Sequence, residues 1–584
     1  MSNLPKIFSG SRSRRIATVA TLAVCQAAAA GVTAFATRDV FSAFSAAETT
    51  IPLVALTLIL VMGVIIALLR VAECTISENV GQTYTADLRK ALFIHLSRMP
   101  AREVTQRRSG ALAMRFIGDL TAVRSWVNFG VARLISTAIV IPGALLALIL
   151  LNPYLAAATS LPLLLSVVLM AFFAPGLHPL HRRLRSKRAR LAADMSERVP
   201  VAPELRLLGR DAREIKRLNR RTLLLRDAAV TRARASATLR AIPDIGVAFA
   251  GIFLLWMAFR TGASSAEAAG ALATMAIIAM PLRNLAGIWD RRYAWKVAMD
   301  KCQAILNSPV LESAIEQQSA SSKKGAICLK LHQICSPAMR NINITASPGQ
   351  KISIVGPNGS GKSTLLTLSA GLEHSQSGYV TIDGVDIRAL SKTEKSSLIS
   401  YLGPRSPILK GSLRRALTLG IHPRPTDKTI KAVALDFGLG SVLDRLGGIG
   451  GKLSEAGKNL SSGEARRVHL VRIWLAQPRL LLLDEPDDAL DVAGRKLVAK
   501  LIRDTQATTL LVTHDLSLAR QMDKLWFVDK GILHESGSPE TLLSGSGKAA
   551  EFFINNKEPE ISRISSKAED ISYSRIVLKS NMTA

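Results

Sequence analysis

The sequence predicts two unlike halves: an α-helical membrane domain of six spans, then an α/β domain built round a phosphate-binding loop. Three observations carry this. Six apolar stretches long enough to cross a bilayer lie in the first half of the 584 residues. Basic residues collect in alternate connecting segments. Further on, a glycine-rich loop stands between an apolar strand and a helix, and another apolar strand ends in two acids.

The six stretches run roughly Ile16–Ala36, Ile51–Ala72, Val131–Leu151, Tyr154–Leu177, Ala241–Phe259 and Ala266–Trp289. Each approaches the roughly 20 residues a helix needs to span hydrocarbon. The first continues past any cleavage-like small residues to Ala36, which suits a membrane helix rather than a removable leader. Thr37–Thr50, Asn152–Pro153 and Arg260–Ser265 are short and poor in basic residues. Glu73–Gly130 and His178–Arg240 are long and basic, the latter containing "HRRLRSKRAR".

With Arg12, Arg14 and Arg15 ahead of the first span, the positive-inside rule puts the N-terminus and both long loops in the cytoplasm. A multi-pass protein of the cell (inner or plasma) membrane is expected, its first half solvated by membrane lipid and its α/β half cytoplasmic. The net charge of +31 (75 Lys and Arg against 44 Asp and Glu) is then loop charge, and nucleic acid is not expected as a partner. The long basic loops show helical periodicity, so membrane helices should continue into the cytoplasm before turning back. Charges within the spans (Arg70, Arg133, Asp244, Glu267, Arg283) lie toward their ends and form no relay. Asp244 and Glu267 read as interfacial residues. The cysteines Cys25, Cys74, Cys302, Cys328 and Cys335 have neither zinc spacing nor the density of a disulfide framework.

After the Ser/Lys-rich "QQSASSKKGA", "KISIVGPNGSGKSTLLTLSAGL" reads as strand, loop and helix. The loop Gly356, Pro357, Asn358, Gly359, Ser360, Gly361, Lys362, Ser363, Thr364 satisfies G-x-x-x-x-G-K-[ST], the Walker A pattern. Its glycines let backbone N–H groups turn toward one phosphate chain, and the following helix adds its positive end. Lys362 suits the β- and γ-phosphates of ATP, and the Ser363 hydroxyl suits Mg²⁺. In "RLLLLDEP" four leucines make a strand buried on both faces, ending in acids where α/β ligands gather. Asp484 would hold Mg²⁺ through water, and Glu485 would act on the attacking water as general base. "TTLLVTHDLSLA" supplies a further strand ending in His514.

With these elements in place the chain resembles the ATP-binding cassette (ABC) transporters, over nearly its whole length. "LSSGEARRVHLVR" resembles that family's LSGGQ signature through Leu460, Ser461, Ser462, Gly463 and Glu464. "DDALD" looks like the D-loop, ending in Asp491, and His514 looks like the switch histidine. "RSGALAMRFIGDLTAVR" and "ERVPVAPELRLLGRDAREIKRL" look like the coupling regions of exporter-type half-transporters. The resemblance implies an ABC ATPase domain with a helical subdomain, ATP and Mg²⁺ as ligands, and ATP hydrolysis coupled to transport. It also implies a dimer, in which each ATP lies between one chain's Walker A and the other's signature. ATP bridging two surfaces only in the closed state favours that state. The expected boundaries are a tail 1–12, membrane domain 13–310, linker 311–325, nucleotide-binding domain 326–546 and polar tail 547–584.

Three positions depart from the family pattern. Cys335 stands where adenine is usually stacked on an aromatic, and Ser462 replaces a signature glycine. In "YLGPRSPILKGSL" Pro404 falls in the place of the Q-loop glutamine. These departures favour a heterodimer with a more regular second half-transporter over a homodimer. The alternative is a regulatory half that binds nucleotide with little turnover of its own. The small and aliphatic residues of the spans leave the transported substrate unidentified.

Overall fold

A computed structural model describes residues 4–46, 51–107, 112–113, 115–311, 325–404 and 406–557. Most of the expected linker (312–324) lies outside these residues, as do the tail beyond 557, part of the first expected coupling region, and Arg405. The chain divides into a unit of Met1–Met99 with Glu103–Pro309 and a unit of Pro100–Arg102 with Val310–Ala584.

The first unit has six long apolar helices, α1 (Ser11–Ser45), α2 (Leu53–Leu96), α3 (Arg115–Leu151), α4 (Pro153–Leu207), α5 (Asp211–Thr261) and α6 (Ser265–Leu306). α5 has 51 residues, about 77 Å at a rise of about 1.5 Å, against a hydrocarbon core of about 30 Å. The helices therefore outrun the membrane, as the periodicity of the basic segments implies. Leu60, Leu164, Phe172 and Phe259 are exposed on the outer faces of the spans, where lipid is the natural solvent. Inward, small residues let helices close: a Cβ on Gly143 of α3 would lie 2.8 Å from the Ala27 Cβ of α1. Asp244 pairs with Arg283. Glu267 completes a capping box with Ser264 at the start of α6. α3 opens into wider π-helical turns at Arg115–Asp119 and Val127–Ala132.

The second unit starts with β1 (Leu329–Ser336), β2 (Met339–Ala346), β3 (Lys351–Val355) and α7 (Lys362–Ser369). Next come β4 (Ser377–Ile382), β5 (Val385–Asp386), β6 (Ile399–Leu402), β7 (Gly411–Ser412), α8 (Asp427–Asp436), α9 (Gly440–Leu446) and β8 (Lys452–Leu453). Then follow α10 (Ser462–Ala476), β9 (Leu480–Asp484), α11 (Val492–Asp504), β10 (Thr508–Val512), β11 (Lys524–Asp529), β12 (Ile532–Gly537) and α12 (Lys548–Lys557). Strands β2-β1-β4-β5 form one sheet and β12-β11-β3-β10-β9-β6 the other. In the larger sheet every pairing is parallel except that of β12 with β11. All residues of β9 and β10 are buried, which is why β9 reads as four leucines in a row.

The expected helical subdomain is present: residues of α8 and α9 share a core with α10, and Phe437 tilts against Trp474 at 5.6 Å. One expectation is corrected. The segment from 547 does not begin as a polar tail. Ala549 and Phe553 of α12 are buried in a cluster with Val355 and Phe527. Glu551 and Ile554 of the same short helix are exposed, so it buries one side only.

Candidate functional site

Because β3, β9, β10 and β6 run parallel and adjacent, the segments leaving their C-terminal ends converge. β3 leads into the Walker A loop. A Cβ at Gly356 would lie 1.9 Å from the Val528 carbonyl oxygen, so the backbone passes where no side chain fits. Gly361, at φ 106°, turns the chain into α7. Pro357, Asn358 and Gly359 form the exposed tip, while Ser360 is buried and Ser363 exposed. The Lys362 ammonium is folded back on the loop, donating to the carbonyls of Gly356 (2.7 Å) and Pro357 (2.9 Å). Burial pushes its pKa down, against the pull of Glu485 and Asp484. Moving to a phosphate would exchange two neutral acceptors for charged ones.

The Ser363 hydroxyl donates to Asp484 Oδ1 at 3.2 Å. Asp484 is 1% exposed, and its Oδ2 is buried with no hydrogen-bond partner. Burial raises its pKa, and the Glu485 charge adds to the rise against the Ser363 bond and the Lys362 charge. An unsatisfied buried carboxylate oxygen beside a serine hydroxyl fits an oxygen-ligated Mg²⁺. Next in the chain, Glu485 has φ 50°, a conformation that disfavours a side chain by about 1–2 kcal/mol. Its N–H is anchored on the Val512 carbonyl (2.9 Å). That turn brings Glu485 Oε1 to 3.3 Å from His514 Nε2, with both side chains about two-fifths exposed. The His514 ring also meets the Phe552 ring of α12 at 6.1 Å.

The signature segment starts a helix. The Ser461 hydroxyl accepts the Glu464 N–H (3.1 Å), and Glu464 Oε2 accepts the Ser461 N–H (2.8 Å). Both Glu464 oxygens take the Arg445 fork, at 3.0 and 2.8 Å, and this bonding lowers the Glu464 pKa. Ser462 is the first residue of α10 and is exposed, with no positive φ, so serine is accommodated there. Leu460 donates its N–H to the Gly457 carbonyl (2.8 Å). Gly463 approaches Ala489 closely: its Cβ would lie 3.2 Å from that carbonyl. Asp491 caps α11 through Gly494 N–H (2.8 Å) and pairs with Arg467 of α10 (2.8 Å). The D-loop acid is thereby tied to the signature helix.

The two other departures are placed as follows. Cys335 is on β1 opposite Ser377, and its Sγ accepts the Asn341 N–H at 3.4 Å. The residues against the Walker loop are instead Ala338 and Met339, whose carbonyl oxygen and Sδ would stand 2.8 and 3.1 Å from a Gly361 Cβ. Pro404 is exposed just beyond β6.

Three residues around Pro404 escape a motif-based reading. Arg466 Nη1 of α10 reaches the Gly403 carbonyl at 3.5 Å. His469, one turn on, is buried. Burial brings its pKa down to about 4, aided by Arg472 and Arg466 against a bond to the Ser406 backbone. Tyr401 of β6 is pushed up to about 12 by burial and the Asp484 charge. A Cβ at Gly403 would lie 2.5 Å from its hydroxyl. The i, i+3 spacing of Arg466 and His469 was the available signal, since it puts both on one helix face.

Both halves of the chain are similar to known proteins. Residues 16–283 match the family described as ABC transporter transmembrane region, and residues 339–488 match ABC transporter. The mesentericin-Y105 transport/processing ATP-binding protein MesD of Leuconostoc mesenteroides is 23% identical over 81% of this chain and 67% of its own length. An ATP-dependent lipid A-core flippase of Desulfotalea psychrophila is 24% identical over 81% of this chain and 84% of its own. The mycobactin import ATP-binding/permease protein IrtB of Mycolicibacterium thermoresistibile is 28% identical over 53% of this chain and 54% of its own, so the chain spans only about half of that relative. Among solved structures, a bacterial Atm1-family ABC exporter with ATP bound superposes with TM-score 0.82 at 19% identity. That match covers 94% of this chain and all of the other.

Proposed function

Since the chain belongs to the ABC transporters, with transmembrane region and ATP-binding domain in one polypeptide, we propose that it couples ATP hydrolysis to export of a cargo across the cell membrane, as one half of a heterodimer. The observation that carries this is the meeting of Lys362, the Ser363–Asp484 pair and the Glu485–His514 pair at the ends of adjacent parallel strands. Lys362 leaves its loop carbonyls for the phosphates of ATP. Ser363 and Asp484 would hold Mg²⁺, which when bound would neutralise charge on the transferring phosphoryl group. Glu485 orients the attacking water and accepts its proton, and His514 holds the Glu485 carboxylate from the other side. Leu460–Glu464 is offered to the ATP of the partner chain. The long basic connecting segments support a cytoplasmic nucleotide half by the positive-inside rule.

The heterodimer is supported by Pro404, whose ring offers no carboxamide to metal or water, and by Ser462. Pro404 also favours the second reading, a regulatory half with little turnover. Reconstitution tests the assembly. Proteoliposomes holding this chain alone should hydrolyse ATP slowly without moving cargo, and those holding it with a second half-transporter should do both. Full transport from this chain alone would overturn the heterodimer.

A further inference from the structure

The membrane unit encloses a cavity of about 270 Å³ between α1, α2, α3 and α6. One side is apolar, with Ile66, Val140, Ile277 and Met280. The other side is polar, and its charge does not balance. The charged residues of the lining are Arg70, Arg133 and Glu73, two positive against one negative. Glu73 is already bonded, accepting the Gln26 amide at 2.8 Å. The nearby Glu78 offers no relief, since Arg124 holds it at 2.8 Å and Asn128 donates to it as well.

Arg133 meets only neutral groups among the described residues. Its Nη1 donates to the Asn284 amide oxygen (3.1 Å), and its guanidinium lies 4.9 Å from the Phe129 ring centre. Arg291 lies 5.3 Å from the same ring centre, which adds positive charge. Arg70 has neither ion pair nor hydrogen bond among the described residues. About two turns further along α2, Ser77 is 4% exposed, and its hydroxyl is buried without a partner among the described residues. Asn128 and Phe129 sit on the π-helical turn Val127–Ala132, a backbone irregularity that recurs at functional sites.

With two arginines against one carboxylate the lining keeps a net positive charge, which an arriving anion would balance. Resting on the export reading, we infer that this cavity takes the head group of the cargo, and that the cargo is an amphiphile with an anionic head, carboxylate or phosphate, and an apolar tail. The guanidinium groups of Arg70 and Arg133 bond the anion, the Ser77 hydroxyl donates a further hydrogen bond, and the aliphatic side accepts the tail. Charge-assisted bonds discriminate strongly against a neutral head that cannot accept them.

The test is binding of a dansyl-labelled eleven-carbon fatty acid, and of its uncharged primary amide, to the full chain in nanodiscs of zwitterionic lipid. The acid should bind at least about tenfold more tightly than the amide. Arg133→Gln and Arg70→Gln should each remove most of that preference, while Arg133→Lys, which keeps the charge, should retain it. Equal affinity for acid and amide, or a preference that survives both glutamine variants, would overturn the inference. Competition by inorganic phosphate as strong as that by unlabelled acid would show a free-anion site and overturn the amphiphile. Loss of acid binding in nanodiscs of anionic lipid would assign the site to bilayer lipid and overturn the cargo role. Binding is read without nucleotide, so its failure is distinct from failure of ATP-driven export.

Discussion

At the scale of single residues, Pro404 stands on a loop after β6 that side chains of α10 hold in place. Pro404 cannot reach a metal or a water, yet its loop is held from α10 by Arg466 on the Gly403 carbonyl and by His469 near Ser406. Restoring a carboxamide with Pro404→Gln should raise ATP turnover several-fold, read as phosphate release from the assembled transporter. No change would mean that Arg466 and the partner chain already supply the function. His469 makes a pH argument possible. Its folded pKa of about 4 lies below the ordinary 6.5, so folding keeps it neutral where the unfolded chain would protonate it. The stability this contributes is complete above pH 6.5 and is lost as pH falls through about 4, amounting to at most about 3 kcal/mol. His469→Gln, which does not titrate, should flatten the urea-midpoint profile of the nucleotide unit between those pH values. An unchanged slope would show that other groups dominate acid unfolding.

At the scale of elements, what was legible had a short-range physical cause. Six spans were visible because lipid-facing and core-facing residues are both apolar, and β9 because a strand buried on both faces reads as four leucines in a row. The Walker loop was visible because its glycines are forced by backbone contacts such as Gly356 against Val528. The Arg466 and His469 contacts were not legible, since they depend on the register of α10 against a loop some sixty residues away. Nor was α12, ten residues long, whose amphipathic pattern is too brief to stand out among polar neighbours. Packing decided it: Phe553 is 6% exposed in a cluster with Phe527, and Phe552 meets the rings of Phe527 and His514. Phe553→Ala should destabilise the nucleotide unit by about 3–5 kcal/mol, measured by urea unfolding in detergent. A change below about 1 kcal/mol would show α12 to be only loosely docked.

At the scale of the whole molecule, the question is which of two composite ATP sites does the work. On the proposed reading, this chain's Glu485 would serve the ATP held on its own Walker loop and faced by the partner's signature. Its Leu460–Glu464 segment, with Ser462 exposed at the helix start, would on the same reading face the ATP of the partner. The α10 start is well built, with a reciprocal cap and the Arg445 fork, so Ser462 alters the surface offered rather than the helix that offers it. Glu485 is likewise held in position: its positive φ is secured by the Val512 bond and its carboxylate by His514. A strained backbone retained beside an intact base and histidine is what a working site requires and a purely regulatory one does not. Glu485→Gln in this chain alone, with the partner unchanged, should therefore lower transport by the reconstituted pair at least about tenfold, since one removed proton acceptor typically costs about 10²–10⁴ at its own site. Nucleotide binding should persist, because Lys362, Ser363 and Asp484 are untouched. Transport close to the unmodified rate would instead assign turnover to the partner's Walker elements and leave this chain the regulatory half.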